Sequence, residues 1–437
     1  MRLPNIMRPR LLPIILLLLL VPAAAHAQIR VTISGTSDRK FPLAVDNIEV
    51  GEGDLAGAQA SIDATLKADL DILGLFSLIK REAFLEPAEA GLEHDQFKWE
   101  DWETIGASGL VKIALNTRGN NMLVADLRVY DVSGRTLLGG KSFEAAVESA
   151  QDLGDQIADE IFRLLTGEQG IFSSRIVSVQ VIGGHKEIVI LNPRGERVRR
   201  VTSDGNITLS PAWWPDGSTI CFTSFRGGNP DLYVWRNGKA QVFSARPGVN
   251  SGAAVHPNGR QVALSLSKDN DSEIYLLDPT GNNPVRLTNS WGIDVSPEWS
   301  PDGSKIAFVS GRNGSPQIFI MDVASGQTRR LTTAGKHNVA PSWSPDGERI
   351  AFSARDDGRF DIFVVNADGS GLRRLTQSKG NDEDPSWASN GRYLVFASTR
   401  DGSRKLWFMD DEGGHQRALT KDSGYSNPDW GPARSKP

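Results

Sequence analysis

Between residues 211 and 432 one phrase recurs along the chain. It reads Pro211-Ala212-Trp213-Trp214-Pro215-Asp216-Gly217, then Pro297-Glu298-Trp299-Ser300-Pro301-Asp302-Gly303, then Pro341-Ser342-Trp343-Ser344-Pro345-Asp346-Gly347. Weaker copies are Ala253-Ala254-Val255-His256-Pro257-Asn258-Gly259 and Pro385-Ser386-Trp387-Ala388-Ser389-Asn390-Gly391, and Pro428-Asp429-Trp430-Gly431-Pro432 is a partial one. The turn residues Asp216, Asn258, Asp302, Asp346 and Asn390 stand 42, 44, 44 and 44 positions apart. A period of about 40–45 residues carrying short apolar runs belongs to propeller blades.

Each unit has the same grammar. The Trp phrase is a short strand, and Pro-Asp-Gly after it is a tight turn. Pro presets φ there, and Gly takes the left-handed position that a Cβ obstructs. A β-rich run follows, such as Ile306–Val309 or Ile350–Ser353, then a third such as Ile318–Met321 or Ile362–Val365. The unit closes on Arg-Arg-Leu-Thr at 329–332 and 373–376, or on its variants. Four strands per unit is the content of one blade. There are six first strands, at Trp213, Val255, Trp299, Trp343, Trp387 and Trp430, but only five are followed by the other three. The missing three lie upstream at 176–181, 187–191 and 198–202. The expectation is a six-bladed ring in which the strand around Trp430 completes the first blade, because closure removes exposed sheet edges. The recurring Trp is expected to pack between blades, and the recurring Asp and Gly to serve the turns.

The segment before the repeat reads differently. Arg2, Arg8 and Arg10, the apolar run Leu11–Val21 and Ala25-His26-Ala27 form a cleavable export signal, with Gln28 as the first mature residue. Residues 28–168 then read as a small α/β domain and 169–437 as the propeller. A β-prone arm alternates Ile29, Val31 and Ile33 with Arg30 and Thr32. Helical spacing runs through Leu55–Phe76, strands are expected at 110–114, 121–130 and 137–143, and an amphipathic helix at Val147–Leu165 ends on Gly167. The acidic stretch Glu86–Asp101 is expected to be a surface loop. The fold class is thus an α/β N-terminal domain followed by an all-β six-bladed β-propeller.

Composition narrows the function. Losing Arg2, Arg8 and Arg10 from a chain of net charge −5 leaves −8, the wrong sign for a nucleic-acid surface. Cys221 is the single cysteine, set in the apolar run 219–222, and is expected to be a buried structural thiol. No Gly-x-Ser-x-Gly elbow, phosphate loop or His-Glu-x-x-His is present, so no catalytic residue, metal or cofactor is assigned. His94, His185, His256, His337 and His415 are scattered. The acidic clusters Asp269–Glu273 and Asn381–Asp384 lack the glycine and terminal glutamate of a calcium loop. Rigid rings present their ligands at the loops of one rim. The loops entering each first strand supply the candidate contacts Asn250, Asp294, His337, Asn338, Asp382, Glu383, Asp384 and Asn427, with Asp382 to Asp384 suited to a cation or a basic partner.

The export signal, arm, α/β segment and six Trp-Ser-Pro-Asp-Gly-type repeats together resemble the TolB family of Tol–Pal systems, over the whole chain. The repeat is also similar to propellers of prolyl oligopeptidase-like peptidases; the N-terminal segment and the blade count narrow the choice. The resemblance implies a monomeric, non-enzymatic periplasmic protein that is not inserted in a membrane. It implies that one propeller face binds the outer-membrane lipoprotein Pal. It further implies that the mature N-terminus, Gln28, Ile29, Arg30, Val31, Thr32 and Ile33, recruits TolA, in support of outer-membrane integrity and cell division. One departure stands out: the second repeat carries Val255-His256 in place of Trp. The rival readings are a peptidase-type propeller without its catalytic domain, since the chain stops at Pro437, and a generic periplasmic scaffold or carbohydrate-binding propeller.

Overall fold

A computed structural model describes residues 40–432, apart from 52, 86, 88, 89, 120, 356 and 357. The export signal and the arm Gln28–Ile33 lie outside the described residues.

The N-terminal part is a mixed sheet with its two long helices on one face. Strands β1 (Phe41–Val45) and β2 (Glu49–Val50) precede α1 (Ala56–Ile72), followed by β3 (Phe76–Leu78), the short α2 (Trp99–Thr104), β4 (Gly109–Arg118), β5 (Met122–Asp131), β6 (Thr136–Ala146) and α3 (Ala150–Thr166). The sheet order is β3-β1-β4-β5-β6. β1 is parallel to both neighbours, while β4, β5 and β6 form an antiparallel meander. Between β5 and β6 the Asp131 carboxylate accepts from the Ser133 hydroxyl and the Gly134 N–H, both at 2.9 Å, and so holds the turn.

α3 buries Leu153, Ile157, Ile161 and Leu165, one residue per turn on a single face. It stops where Gly167 adopts φ 81° and donates its N–H to the Arg163 carbonyl. α1 ends sooner than its apolar spacing suggests. Gly74 turns the chain at φ 66°, and Phe76–Leu78 then runs as a strand beside β1 instead of continuing the helix. Both helices cover the same sheet face, with Ile62, Leu66, Leu70, Leu153 and Ile157 packed over Val111, Ile113 and Leu127.

The stretch 86–101 is not merely a surface loop. Phe97 and, just beyond it, Trp102 are buried against Leu110, Tyr130 and Val132 on the opposite sheet face. They close over Lys112, whose ammonium lies 4.9 Å from the Phe97 ring centre and donates to Asp46 at 3.0 Å and to the Ala90 carbonyl at 2.9 Å. A buried lysine needs such partners. The acidic composition of this stretch hid its two anchoring aromatics.

Residues 176–430 form six four-stranded antiparallel sheets. Blade 1 takes its inner strand from Tyr425–Trp430 and its others from Ile176–Ile182, His185–Leu191 and Arg197–Arg200. Blades 2 to 6 begin with inner strands Thr208–Trp213, Asn250–Val255, Asp294–Trp299, His337–Trp343 and Asp382–Trp387. Among the second strands, Ile220–Ser224, Val262–Leu266 and Tyr393–Ser398 are buried at every residue, and the others at every residue but their ends. Both faces of each meet a neighbouring blade, which is why these runs lack alternation. Core layers therefore lie between blades; Val177 and Ile188 of blade 1, for example, meet Trp213, Ile220 and Phe222 of blade 2.

The recurring tryptophans lie in those layers. Trp213, Trp299, Trp343, Trp387 and Trp430 are all buried. Trp387 Nε1 donates to the Ser342 carbonyl of blade 5 at 3.2 Å, and Trp213 Nε1 to the Asp429 carbonyl of blade 1 at 3.1 Å. In the blade lacking this Trp, His256 lies edge-on to Trp299 at 4.5 Å between ring centres. The threonine of the closing phrase also has a task. Thr202, Thr288, Thr332, Thr376 and Thr420 accept the N–H of Ile188, Ile274, Ile318, Ile362 and Leu406, pinning each outer strand to its neighbour.

Candidate functional site

The six inner strands neighbour one another in sequence around the ring and enclose a central bore. Each has the same irregularity at its third aligned residue. Ser210, Gly252, Ser296, Ala340, Asp384 and Asn427 all have φ between 46° and 60°. The pairing register of every inner strand slips at this point. Such bulges re-aim a backbone, and left-handed geometry costs a non-glycine residue on the order of 1 kcal/mol. Five of the six positions bear that cost, Gly252 being the exception, and all six form one ring around the bore. Adjacent members touch: Asp384 accepts from the Asn427 backbone N–H at 3.1 Å and from its side-chain amide at 3.0 Å, while the Asp384 N–H donates to Ser353 at 2.9 Å.

Two residues further on, the same strands carry Ala212, Ala254, Glu298, Ser342, Ser386 and Asp429. Two of these are acids on opposite sides of the ring. Desolvation raises the Glu298 carboxyl to about 8, and the charge of Asp429, three blades away, adds to the rise. Asp429 is raised to about 6 by burial although it accepts the Trp213 N–H at 2.7 Å. Asp384 is raised as well, first by burial. All three remain partly exposed.

This gives a pH dependence with a definite sign. The Glu298 and Asp429 carboxyls hold their protons more tightly folded than unfolded. Their contribution is full below the ordinary carboxylate range and is lost as pH rises through about 6 to 8. Glu298→Gln should thus raise the urea midpoint at pH 9, with an unfolding free energy higher by on the order of 1–2 kcal/mol after discounting for the group's partial exposure. It should leave the midpoint at pH 4 nearly unchanged.

The eight rim residues named from sequence divide into two groups. Asn250, Asp294, Asn338 and Asp382 open their inner strands and are 0 to 1% exposed. Each is bonded inside its own ring of loops. Asn250 accepts from Ser244 at 2.7 Å and Arg246 N–H at 3.0 Å. Asp294 takes Arg312 at 2.8 Å, and Asp382 takes Arg400 at 2.8 Å and Ser398 at 2.5 Å. Asn338 donates to Gln317 and the Ala334 carbonyl, both at 2.8 Å. These four hold the blades and offer no surface.

The other four are reachable. His337 stands edge-on to Phe360 at 6.1 Å, its pKa lowered by burial and then by Arg355. Glu383 pairs with Arg404. Asp384 and Asn427 belong to the bulge ring. Glu298 and Asp429 were not among the eight. They occupy the slot between the repeat's Pro and Trp, where the other units carry Ala or Ser, so aligning the repeats position by position exposes them.

The rim also holds apolar residues that a search for polar contacts passes over. Trp291 is 80% exposed, and Ile293 beside it 50%. Ile207, in the equivalent loop entering blade 2, is 47% exposed. An exposed Trp on a rigid rim is a binding-surface feature.

Comparison with known proteins bears on the whole chain. The model of the TolB beta propeller domain matches residues 162–434, and that of the TolB amino-terminal domain matches residues 29–138. The chain belongs to the TolB family. The Tol-Pal system protein TolB of Desulfosudis oleivorans is 38% identical over 291 residues, 65% of this chain and 66% of that one. That of Anaeromyxobacter dehalogenans is 36% identical over 281 residues, 64% of each. These alignments span just under two thirds of the curated relatives' length. The crystal structure of TolB from Acinetobacter baumannii superposes with a TM-score of 0.78 at 25% identity, covering 93% of this chain and all of that one. Among the described residues of this TolB-family chain no helix is long and apolar enough to cross a membrane.

Proposed function

We propose that this TolB-family protein works in the periplasm as a Tol–Pal linker, binding the lipoprotein Pal at the bore-side rim and TolA through the arm Gln28–Ile33. The observation that carries the Pal half is the rim itself: exposed Trp291 and Ile293 stand on the loops that enter the inner strands, on a ring made rigid by closure. Binding energy concentrates on such aromatic anchors. Support for the TolA half is the alternation of Ile29, Val31 and Ile33, which suits an extended strand added to a partner's sheet edge. The protein acts by binding, not by catalysis, and through it the system supports outer-membrane integrity and cell division.

The two halves separate by experiment. Deleting residues 28–33 should reduce TolA binding at least a hundredfold and leave Pal binding within twofold, both read by calorimetry. Intact TolA binding after that deletion would remove the arm from the account. Failure of the undeleted protein to bind either partner would remove the Tol–Pal assignment itself.

A further inference from the structure

The N-terminal part and the ring meet at a buried charge cluster. Arg194 lies in the turn between the third strand of blade 1, His185–Leu191, and its outer strand, Arg197–Arg200, and its side chain is 7% exposed. Its Nη1 reaches two carboxylates at once, Asp69 of α1 and Asp155 of α3, the latter at 2.7 Å. Asp69 and Asp155 are 0 and 1% exposed. Arg175, which leads into blade 1, reaches Asp155 at 3.4 Å and Asp152 at 2.5 Å. Two helices are thus tied to the ring through one guanidinium nitrogen.

The charges facing this point do not balance. α1 brings Asp69, and at its end Asp71, which lies 3.7 Å from Arg417 of blade 6. α3 brings Asp152, Asp155 and Asp159. The blade 1 turn brings Arg194 and Glu196, which takes Arg194 Nε at 3.3 Å and lies within the field of Lys421. Blade 6 also sets the His415 ring against Gly74. In the enclosed centre Asp69 and Asp155 meet Arg194, and Asp155 also meets Arg175, while Asp159 is held by the N–H groups of Phe172 and Ser173 and the Ser173 hydroxyl. Asp69 Oδ2 is buried with no hydrogen-bond partner, as are Arg194 Nη2 and Arg175 Nε. A bare second charge on a buried carboxylate pair is costly, and such pairs retain a proton.

We propose that this joint is a protonation-controlled lock: with one proton on the Asp69–Asp155 pair Arg194 holds both helices to the ring, and loss of that proton lets the N-terminal part swing from the propeller. The behaviour does not depend on which partner the rim takes. Burial, then the charge of Asp155, raises the Asp69 carboxyl to about 8, and burial raises Asp155 too. The sign follows: folded-state acids with raised pKa favour the closed joint below that value and lose this contribution as pH rises through it.

The test uses fluorescence energy transfer on the full-length protein, with dyes on Leu137→Cys and Val242→Cys. Both sites are exposed, and the native Cys221 is buried. Above pH 8 the open population should rise about tenfold per pH unit for one proton. Asp69→Asn should hold the closed distance from pH 6 to pH 9.5. Identical responses in the two proteins, or no response in either, would overturn the lock. Should Asp69→Asn fail to fold, Asp155→Asn takes its place, together with an infrared titration of the full-length protein. With the bore acid removed by Glu298→Gln, which otherwise titrates in the same range, a carboxylic-acid C=O band present at pH 7 and gone by pH 9.5 supports the shared proton; its absence at pH 7 in that variant overturns it.

Discussion

Deleting residues 425–430 should leave no cooperatively folded propeller. That strand is the inner strand of blade 1, paired with Ile176–Ile182 from Tyr425↔Gln180 to Trp430↔Ile176. Trp430 lies 6.2 Å from Phe408 between ring centres, gives its indole N–H to the Ser174 hydroxyl at 2.8 Å and donates its backbone N–H to the Ser386 hydroxyl at 2.9 Å. It thereby touches blade 6, blade 1 and the segment joining the ring to α3. Removing a buried Trp side chain alone costs about 3–5 kcal/mol. Removing the whole strand also strips the Ile176–Ile182 edge and opens blade 6, against a total stability on the order of 5–15 kcal/mol. The expected result is a broad, non-cooperative melt and aggregation on a sizing column. A monomer with an unchanged melting midpoint would show that the ring does not depend on closure.

The second large effect belongs to Arg194. Arg194→Ala leaves Asp69 and Asp155 facing each other with only Arg175 nearby, in a pocket that water does not reach. Taking one partner from a buried ion cluster costs about 3–5 kcal/mol, because the remaining charges stay desolvated. Urea unfolding followed by far-ultraviolet dichroism should register the loss at pH 7, with a smaller loss at pH 5, where the freed carboxyls take up protons. A change below about 1 kcal/mol at pH 7 would mean that the cluster is hydrated.

The ring was legible because one local grammar repeats. Most blades restate the turn, the buried runs and a closing phrase of the Arg-Leu-Thr kind, so a weak copy such as Ala253–Gly259 is readable from strong ones. The N-terminal part has no such redundancy. β1 and β3 are five and three residues long, too short for alternation to declare itself, and they gain strand structure from parallel pairing with each other and with β4. The end of α1 was overrun because Leu73 and Phe76 keep a helical spacing past Gly74.

At the candidate site the residues named from sequence lie on the loops entering the inner strands, some of them buried and some reachable. Polar residues at the strand entrances suggested contacts, yet Asn250, Asp294, Asn338 and Asp382 face inward, where each strand start needs its backbone and side-chain partners satisfied. The Arg312 and Arg400 that neutralise Asp294 and Asp382 lie 18 residues downstream, beyond what local reading connects. Trp291 was passed over for the opposite reason, since one exposed aromatic outside the repeat has no pattern to stand out from. The Arg194 cluster joins segments 125 and 39 residues apart and is visible only in the fold.

The most direct measurement is calorimetric titration of the protein with the periplasmic part of Pal from the same organism, alongside Trp291→Ala/Ile293→Ala. The account predicts saturable binding that this variant weakens at least tenfold, about 1.4 kcal/mol or more, with an unchanged melting midpoint. Binding of equal strength in the variant, or no binding by the unaltered protein, would contradict it.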